Sequence, residues 1–378
     1  MTRRDWMKIA GGAAAAAAAP VRLGARPRAV TGGAATLETE IVRVNLRHTW
    51  TTTMSASEYR DVIYVRYTRD GVTGYGEGAP IVRYKEDARS AQAMLKAIQP
   101  LVESADPWAY DKLLARVFRE VPGEHAGKAA LDIALLDWIG KRLDVPIYRL
   151  FGLDPADAPF TTMSIGMDTP AMTKQKIEEA ADFPVLKIKM GVGKDEDTLK
   201  AIRAVTRKPL RIDANEGWRT KEEALAKIEW LEEDGGVEFV EQPMAGDRTA
   251  DHAWLRERVK MPIIADEACL RPSDIPKLAD AYDGVNIKID KAGGILQAYR
   301  MIQIAKALGL KTMLGCMISS SVSVTAAAQL SPLVDYADLD CNLLVANDPY
   351  EGVLVKKGKL VLPDRPGLGV RPAEKGTA

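Results

Sequence analysis

Nine ionisable side chains stand at the ends of short apolar runs in the C-terminal half of the chain: Lys187, Lys189, Asp213, Glu241, Asp266, Glu267, Lys288, Asp338 and Asp340. Asp213, Glu241 and Asp266 close three successive runs, and three like charges brought to one point need a counter-ion. Oxygen ligands without His or Cys suit Mg²⁺, with Mn²⁺ as the other candidate, better than zinc. Other chemistry has little material to draw on. The three histidines, His48, His125 and His252, are far apart, and Cys269, Cys316 and Cys341 have no C-x-x-C spacing. A His-centred triad or a zinc knuckle is therefore not expected, and the cysteines read as small buried hydrophobes. Acid–base work falls to lysine. Lys189 and Lys288 would face each other with the metal between them and to one side, which suits removing a proton from one face of a carbon and returning it to the other. A lysine base needs a lowered pKa, and either Lys187, two residues from Lys189 on the same strand face, or the cation itself would serve.

Positioning these groups requires a repeating scaffold. The apolar runs begin at Thr161, Val185, Leu210, Val237, Pro262, Gly284, Lys311 and Val334, 22 to 27 residues apart, with amphipathic stretches such as Thr220 to Glu233 between them. Eight strands with helical crossovers at that spacing predict a parallel barrel whose C-terminal mouth collects the charged residues. A doubly wound sheet is the alternative, though it has no need of eight near-equal repeats. Upstream, the alternation in 40–46 and 62–67 predicts antiparallel strands. Between them, Arg47 to Arg60 reads as a polar loop, and Asp70-Gly71 and the Gly74–Gly78 run as tight turns. Helical periodicity then runs from about Ser90 to Leu143. The expected division is a leader and linker over 1–35, an α+β capping domain over 36–155 with 350–378 packing back on it, and an α/β barrel over 156–349.

The first thirty residues carry six Lys/Arg and one Asp, and Thr2-Arg3-Arg4 precedes an Ala-rich apolar stretch from Ile9 to Val21. This resembles a twin-arginine export signal, and the apolar stretch is too short and weak for a comfortable membrane span. Export of a folded enzyme to a periplasmic or extracytoplasmic location is the expectation, with no stable membrane span after signal removal. The whole chain balances 52 basic against 52 acidic residues, so no nucleic-acid partner is expected. Without the leader the chain is mildly acidic.

Together, L-K-I-K-M-G, R-I-D-A-N-E-G-W, V-E-Q-P, A-D-E-A and N-I-K-I-D-K-A-G-G resemble the enolase superfamily, muconate-lactonizing subgroup; G-Y-G-E-G-A-P and the 129–152 segment are similar to that subgroup's capping domain. The resemblance implies a (β/α)8-type barrel modified as (β/α)7β, Asp213, Glu241 and Asp266 as Mg²⁺ ligands, and Lys189 and Lys288 as the acid–base pair. Lys187 would tune Lys189, while Asn215 and Glu267 would orient ligands and lysines. The implied chemistry is removal of a proton next to a carboxylate, giving an enediolate. Asp338-Leu339-Asp340 is similar to the dipeptide epimerases, where the pair holds the substrate's α-ammonium; residues two apart on a strand point to one side.

The expected activity is therefore inversion of the α-carbon of a dipeptide's C-terminal residue, with a murein dipeptide as a natural first substrate for an exported enzyme. Ser164 and Met317 join the expected substrate-binding set. In the cap, Arg47, His48 or Arg60 would meet an acidic side chain, or Trp50 and Met54 would line an apolar pocket. Ser319 departs from the related epimerases, which often carry Glu there. An N-acylamino acid racemase, a cycloisomerase and an inactive exported peptide-binding barrel are the alternatives, and homo-oligomer formation is compatible with all of them.

Overall fold

The computed structural model describes residues 33–373. Three antiparallel strands open the described chain: β1 (Thr36–Thr51), β2 (Ala56–Arg69) and β3 (Val72–Gly78). The predicted 47–60 loop is mostly strand. β1 and β2 stay paired out to Thr51 and Ala56 across an irregularity between Asn45 and Trp50. Only a four-residue turn closed by Thr52 N donating to Ser55 O (3.0 Å) joins them. The stretch has no sustained apolar alternation to mark a strand, and its Thr content does not decide the matter, because β-branched Thr is as much at home in a strand as in a loop.

Gly74–Gly78 likewise lies in β3, and only Asp70-Gly71, with both φ angles positive (52° and 73°), forms the tight turn. The glycines serve close packing. A Cβ on Gly74, Gly76 or Gly78 would fall 2.1, 1.9 or 2.0 Å from the carbonyl oxygens of Ala134, Ala130 and Ala126. Alternate residues of a strand thus lie on successive turns of one helix face. That helix is α3 (His125–Leu143), preceded by α1 (Ala88–Ser104) and α2 (Tyr110–Glu120). Asp87 begins α1 with a reciprocal cap, accepting from Arg89 N and Ser90 N, which satisfies donors that have no partner within the helix.

The remaining chain forms the barrel. Its strands are β4 (Met163–Ile165), β5 (Leu186–Lys189), β6 (Leu210–Asp213), β7 (Val237–Glu241), β8 (Ile263–Ala265), β9 (Gly284–Lys288), β10 (Lys311–Gly315) and β11 (Tyr336–Asp338). They lie in sequence order, all parallel. A parallel bridge between Thr161 and Ala337 joins the first strand to the last. Four of the strands are wholly buried and β10 is buried in all but its first residue, as expected where one face meets the barrel interior and the other a layer of helices. β11 runs into a short 3-10 turn (Cys341–Leu344) where another crossover helix would stand, which is the (β/α)7β form. Among the described residues no helix is long and apolar enough to cross a membrane.

Buried carboxylates fasten the cap to the barrel. Glu77 accepts from Ser320 N (2.8 Å), Ser320 Oγ (2.6 Å) and Ser323 N (2.9 Å). Asp290 accepts from Ala79 N (2.7 Å), and Asp132 from Ile295 N (2.5 Å) at the start of the 295–307 helix. Each meets backbone N–H groups otherwise left unpaired at an element terminus. The tail also ties in. Tyr350 packs edge-on against Tyr64 (5.5 Å between ring centroids), Leu368 N donates to Asp137, and Gly358 O accepts from Thr161 N.

Candidate active site

Strand register sets the site. Lys189, Asp213 and Glu241 are direct neighbours across β5, β6 and β7, and Lys288, Gly315 and Asp338 across β9, β10 and β11. All the side chains among them therefore emerge at the C-terminal mouth. Asp213, Glu241 and Asp266 are buried and offer carboxylate oxygens that all lie within 4.8 Å of one another. Burial and the Asp213 charge push the Glu241 carboxyl up to about 7. Burial also opposes the charge on Asp266, but Lys288 and Lys291 outweigh it and hold its carboxyl well below the usual range. Glu241 Oε2 pairs with Lys187 Nζ at 2.8 Å. A convergent, sequestered trio of carboxylates, with no His or Cys among its donors, fits a small hard cation such as Mg²⁺.

The lysines reach the same point. Lys189 Nζ donates to Asp213 Oδ2 at 2.7 Å and Lys288 Nζ to Asp266 Oδ2 at 2.9 Å. They stand on the second and sixth of eight ring-ordered strands, hence on opposite sides of the mouth. Lys187, wholly buried, contacts Asp213 (3.0 Å), Glu241 (2.8 Å) and Asp338 (2.7 Å). Burial works against the ammonium of Lys187 and of Lys288, but the neighbouring carboxylates, Asp213 first for Lys187 and Asp266 for Lys288, carry both pKa values well above the ordinary one. Lys288 becomes a competent base only when another cation takes up part of that negative charge. Asn215 N donates to Asp213 Oδ1 (2.9 Å) and its amide to Glu267 Oε1 (3.2 Å), so both expected orienting groups flank the trio. Burial and Asp266 lift the Glu267 carboxyl to about 8.

Asp338 and Asp340 converge beside Ser164. Ser164 N donates to Asp340 Oδ2 (2.5 Å) and its hydroxyl to Asp338 Oδ1 (3.1 Å). Asp340 Oδ1 is buried without a partner, and burial plus the Asp338 charge raise its carboxyl to about 7. An arriving cation would satisfy both. Met317 is buried just beyond β10. Trp50 from the cap faces the site, its ring centroid 5.8 Å from Lys189 Nζ. The other cap residues are placed differently from one another. Arg47 Nε donates to Leu343 O (3.1 Å), His48 pairs with Glu179 (2.9 Å), Arg60 is half-buried, and Met54 is exposed near Arg83. Ser319 Oγ donates to Met317 O (2.9 Å).

Four residues at the site escaped sequence reasoning. Lys291 Nζ donates to Asp266 Oδ1 (2.7 Å) and Asp266 O (2.5 Å), and Asn286 Nδ2 to Glu241 Oε1 (2.8 Å). Gln242 Oε1 accepts from Asp266 N (2.9 Å), and Thr162 Oγ1 donates to Asp338 Oδ1 (2.5 Å). Asn286 shares its strand face with Lys288, a signal that was available. Lys291 lies on the short helix 289–292 after the strand, where strand periodicity no longer applies. Cys269 and Cys341 are buried as expected, whereas Cys316 is partly open to solvent, and Cys316 and Cys341 gather with Asp340. The export-signal reading rests on Thr2 to Val21, which lie outside the described residues, as does the linker up to residue 32.

Two family descriptions match most of the chain: mandelate racemase/muconate lactonizing enzyme, N-terminal domain, over residues 36–152, and enolase C-terminal domain-like over residues 171–376. The chain is 40% identical over 328 residues to the L-Ala-D/L-Glu epimerase of Bacteroides thetaiotaomicron, covering 86% of this chain and 85% of that protein. It is 40% identical over 338 residues to the L-Ala-D/L-amino acid epimerase of Pedosphaera parvula, covering 87% and 97%. Among solved structures, the dipeptide epimerase from Enterococcus faecalis V583 complexed with Mg and L-Leu-L-Tyr superposes with a TM-score of 0.83 at 30% identity, over 89% of this chain and 98% of that one. With its strand-and-helix cap, its parallel barrel and these matches, the chain belongs to the mandelate racemase/muconate lactonizing enzyme family of the enolase superfamily.

Proposed function

We propose that the protein is an isomerase, a magnesium-dependent dipeptide epimerase that inverts the α-carbon of the C-terminal residue by 1,1-proton transfer through an enediolate. The observation that carries this reading is the placement of Lys189 and Lys288 on opposite sides of one mouth, with a carboxylate trio between them and an Asp pair beside them. Relatives with 40% identity bear epimerase names, and solved neighbours of this fold hold Mg and a dipeptide. Asp213, Glu241 and Asp266 would hold the metal, which supplies positive charge where a proton leaves a carbon next to a carboxylate.

The protein's own groups do the rest. Asp338 and Asp340 take the substrate ammonium, fixing which end of the dipeptide enters. Lys189 removes the α-proton of one epimer while Lys288 delivers a proton to the other face, and the roles reverse for the other epimer. Asn215 and Glu267 orient the carboxylates, and the cap, with Trp50 over Lys189, excludes water. Periplasmic action on murein dipeptides extends the reading on the strength of the Arg3-Arg4 leader alone. The test is a library of L-Ala-L-Xaa dipeptides in D₂O with MgCl₂, where deuterium should enter the C-terminal α-carbon with inversion. No exchange on any member, with metal bound, rules out the proposal.

A further inference from the structure

Cys316 follows β10 and Cys341 begins the turn after β11, so neighbouring strands deliver both thiols to the ammonium side of the mouth. Their sulfur atoms and an oxygen of Asp340 all lie within 4.8 Å of one another. Contact between the two thiols, together with burial, holds the Cys341 thiol well above its ordinary pKa, so it waits as S–H. Cys316 Sγ donates to Asp338 O at 3.1 Å and is partly open to solvent. The independent observation is Asp340: only 1% exposed, it uses Oδ2 for Ser164 N and leaves Oδ1 buried with no partner. A buried acceptor with nothing donating to it is costly, and a cation is one way to satisfy it.

We infer that Cys316, Cys341 and Asp340 form a second cation site, chemically unlike the oxygen trio, for a thiophilic divalent ion of the zinc or cadmium class. Two sulfurs and one oxygen select borderline and soft ions and reject magnesium. Three protein ligands leave a fourth tetrahedral position for water, as in zinc sites that stay open on one side. Binding would release the thiol protons to solvent. The half-buried guanidinium of Arg60, close enough to Cys341 to interact with its charge, offsets part of the negative charge that remains. The scaffold is already fixed. The 341–347 segment is tied to β1 by Arg47 Nε to Leu343 O (3.1 Å) and Ala346 N to Asn45 O (2.8 Å), so little ordering is left for binding to supply. Such an ion would also take Asp340 from the substrate ammonium and inhibit; that consequence rests on the dipeptide reading, whereas binding does not.

The test uses reduced, full-length protein saturated with MgCl₂ and titrated with CdCl₂, read by sulfur-to-cadmium charge-transfer absorption. One equivalent should produce the band, ZnCl₂ should displace it, and further MgCl₂ should not. C316S and C341S, each made separately so that one well-folded variant suffices, should lose the band. D340N should weaken binding by at least about tenfold, and C269S should leave it unchanged. A missing band, a band that survives both C316S and C341S, or one that magnesium displaces overturns the site, as does a Cys316–Cys341 disulfide that persists after reduction. Because the readout is spectroscopic, these outcomes are independent of whether any dipeptide is epimerised.

Discussion

Lys187 and Lys189 close on a single atom: their Nζ atoms lie 3.0 and 2.7 Å from Asp213 Oδ2. Two residues apart on β5, they share the inward face, and the deeper one continues to Glu241 and Asp338. Lys187 is therefore the link between the candidate metal ligands and the candidate ammonium pair. Its charge acts on both.

Lys187→Met should leave Asp213, Glu241 and Asp338 buried without their common counter-ion. Breaking a buried pair by removing one partner costs about 3–5 kcal/mol. Magnesium should recover part of this, because the trio without Lys187 binds the cation more tightly than the wild-type trio does, and each tenfold gain in affinity is worth about 1.4 kcal/mol at saturation. Urea denaturation of both proteins with MgCl₂ and with EDTA checks it. A destabilisation of equal size in both conditions would show that Lys187 serves packing alone.

Lys189→Ala and Lys288→Ala should each abolish epimerisation, with rates down by roughly 10²–10⁴ for loss of one proton-transfer group. Because the two lysines address opposite faces, each variant should still exchange the α-proton of one epimer slowly, with retention, and the two variants should favour opposite epimers. Proton NMR in D₂O separates exchange from inversion. Full inversion by Lys288→Ala would contradict the assignment.

Asp340→Asn tests the ammonium site more cleanly than Asp338→Asn, because Asp338 also carries Lys187 and Thr162. Loss of a charge-assisted hydrogen bond costs about 1.5–3 kcal/mol, so KM for dipeptides should rise by roughly 10–100-fold. An N-acylamino acid carries no ammonium, so its turnover, if any, should not change. Equal losses on both substrates would place Asp340 outside amine recognition.

Gly76→Ala tests the cap. The new Cβ would meet Ala130 O at 1.9 Å, and that oxygen belongs to the backbone of α3 and cannot rotate aside. Overpacking of this kind costs about 1–3 kcal/mol, and the upper part of that range is expected in thermal unfolding. A neutral substitution would mean that β3 and α3 can separate without loss.

Much of this arrangement was legible because a parallel barrel writes its strands as evenly spaced apolar runs, and all eight lie where the spacing predicted them. Strand ends then located Asp213, Glu241 and Lys288 without further information. What the pattern could not reveal came from groups whose roles depend on three-dimensional neighbours. Glu77 sits in a strand and looks like a surface charge, yet it is fully buried on serines 243 and 246 residues away. Gly74, Gly76 and Gly78 read as turns because glycine more often marks a positive φ than a close approach. Cys316 and Cys341 are 25 positions apart in the chain, and only adjacency of the last two barrel strands brings them together.

His252 gives a pH signature independent of catalysis. It is fully buried, stacked on Tyr282 with ring centroids 4.7 Å apart, and its Nδ1 lies 2.9 Å from Arg248 O, so Nδ1–H donates and Nε2 has no partner. Burial lowers its pKa from 6.5 to about 4. Below pH 6.5 the unfolded chain therefore binds a proton that the folded chain refuses. The stabilising contribution is complete above that value and is lost progressively as pH falls toward 4, by about 3 kcal/mol in total. Glu77, Asp132 and Asp290, each raised to about 7 by burial, act in the opposite direction by favouring the folded state as they protonate. The informative quantity is consequently the difference between wild type and His252→Phe, which keeps the ring stack and leaves those carboxylates untouched. Between pH 6.5 and 4, wild type should lose about 3 kcal/mol more than the variant in denaturant titrations. Parallel pH profiles would mean that the imidazole protonates in place.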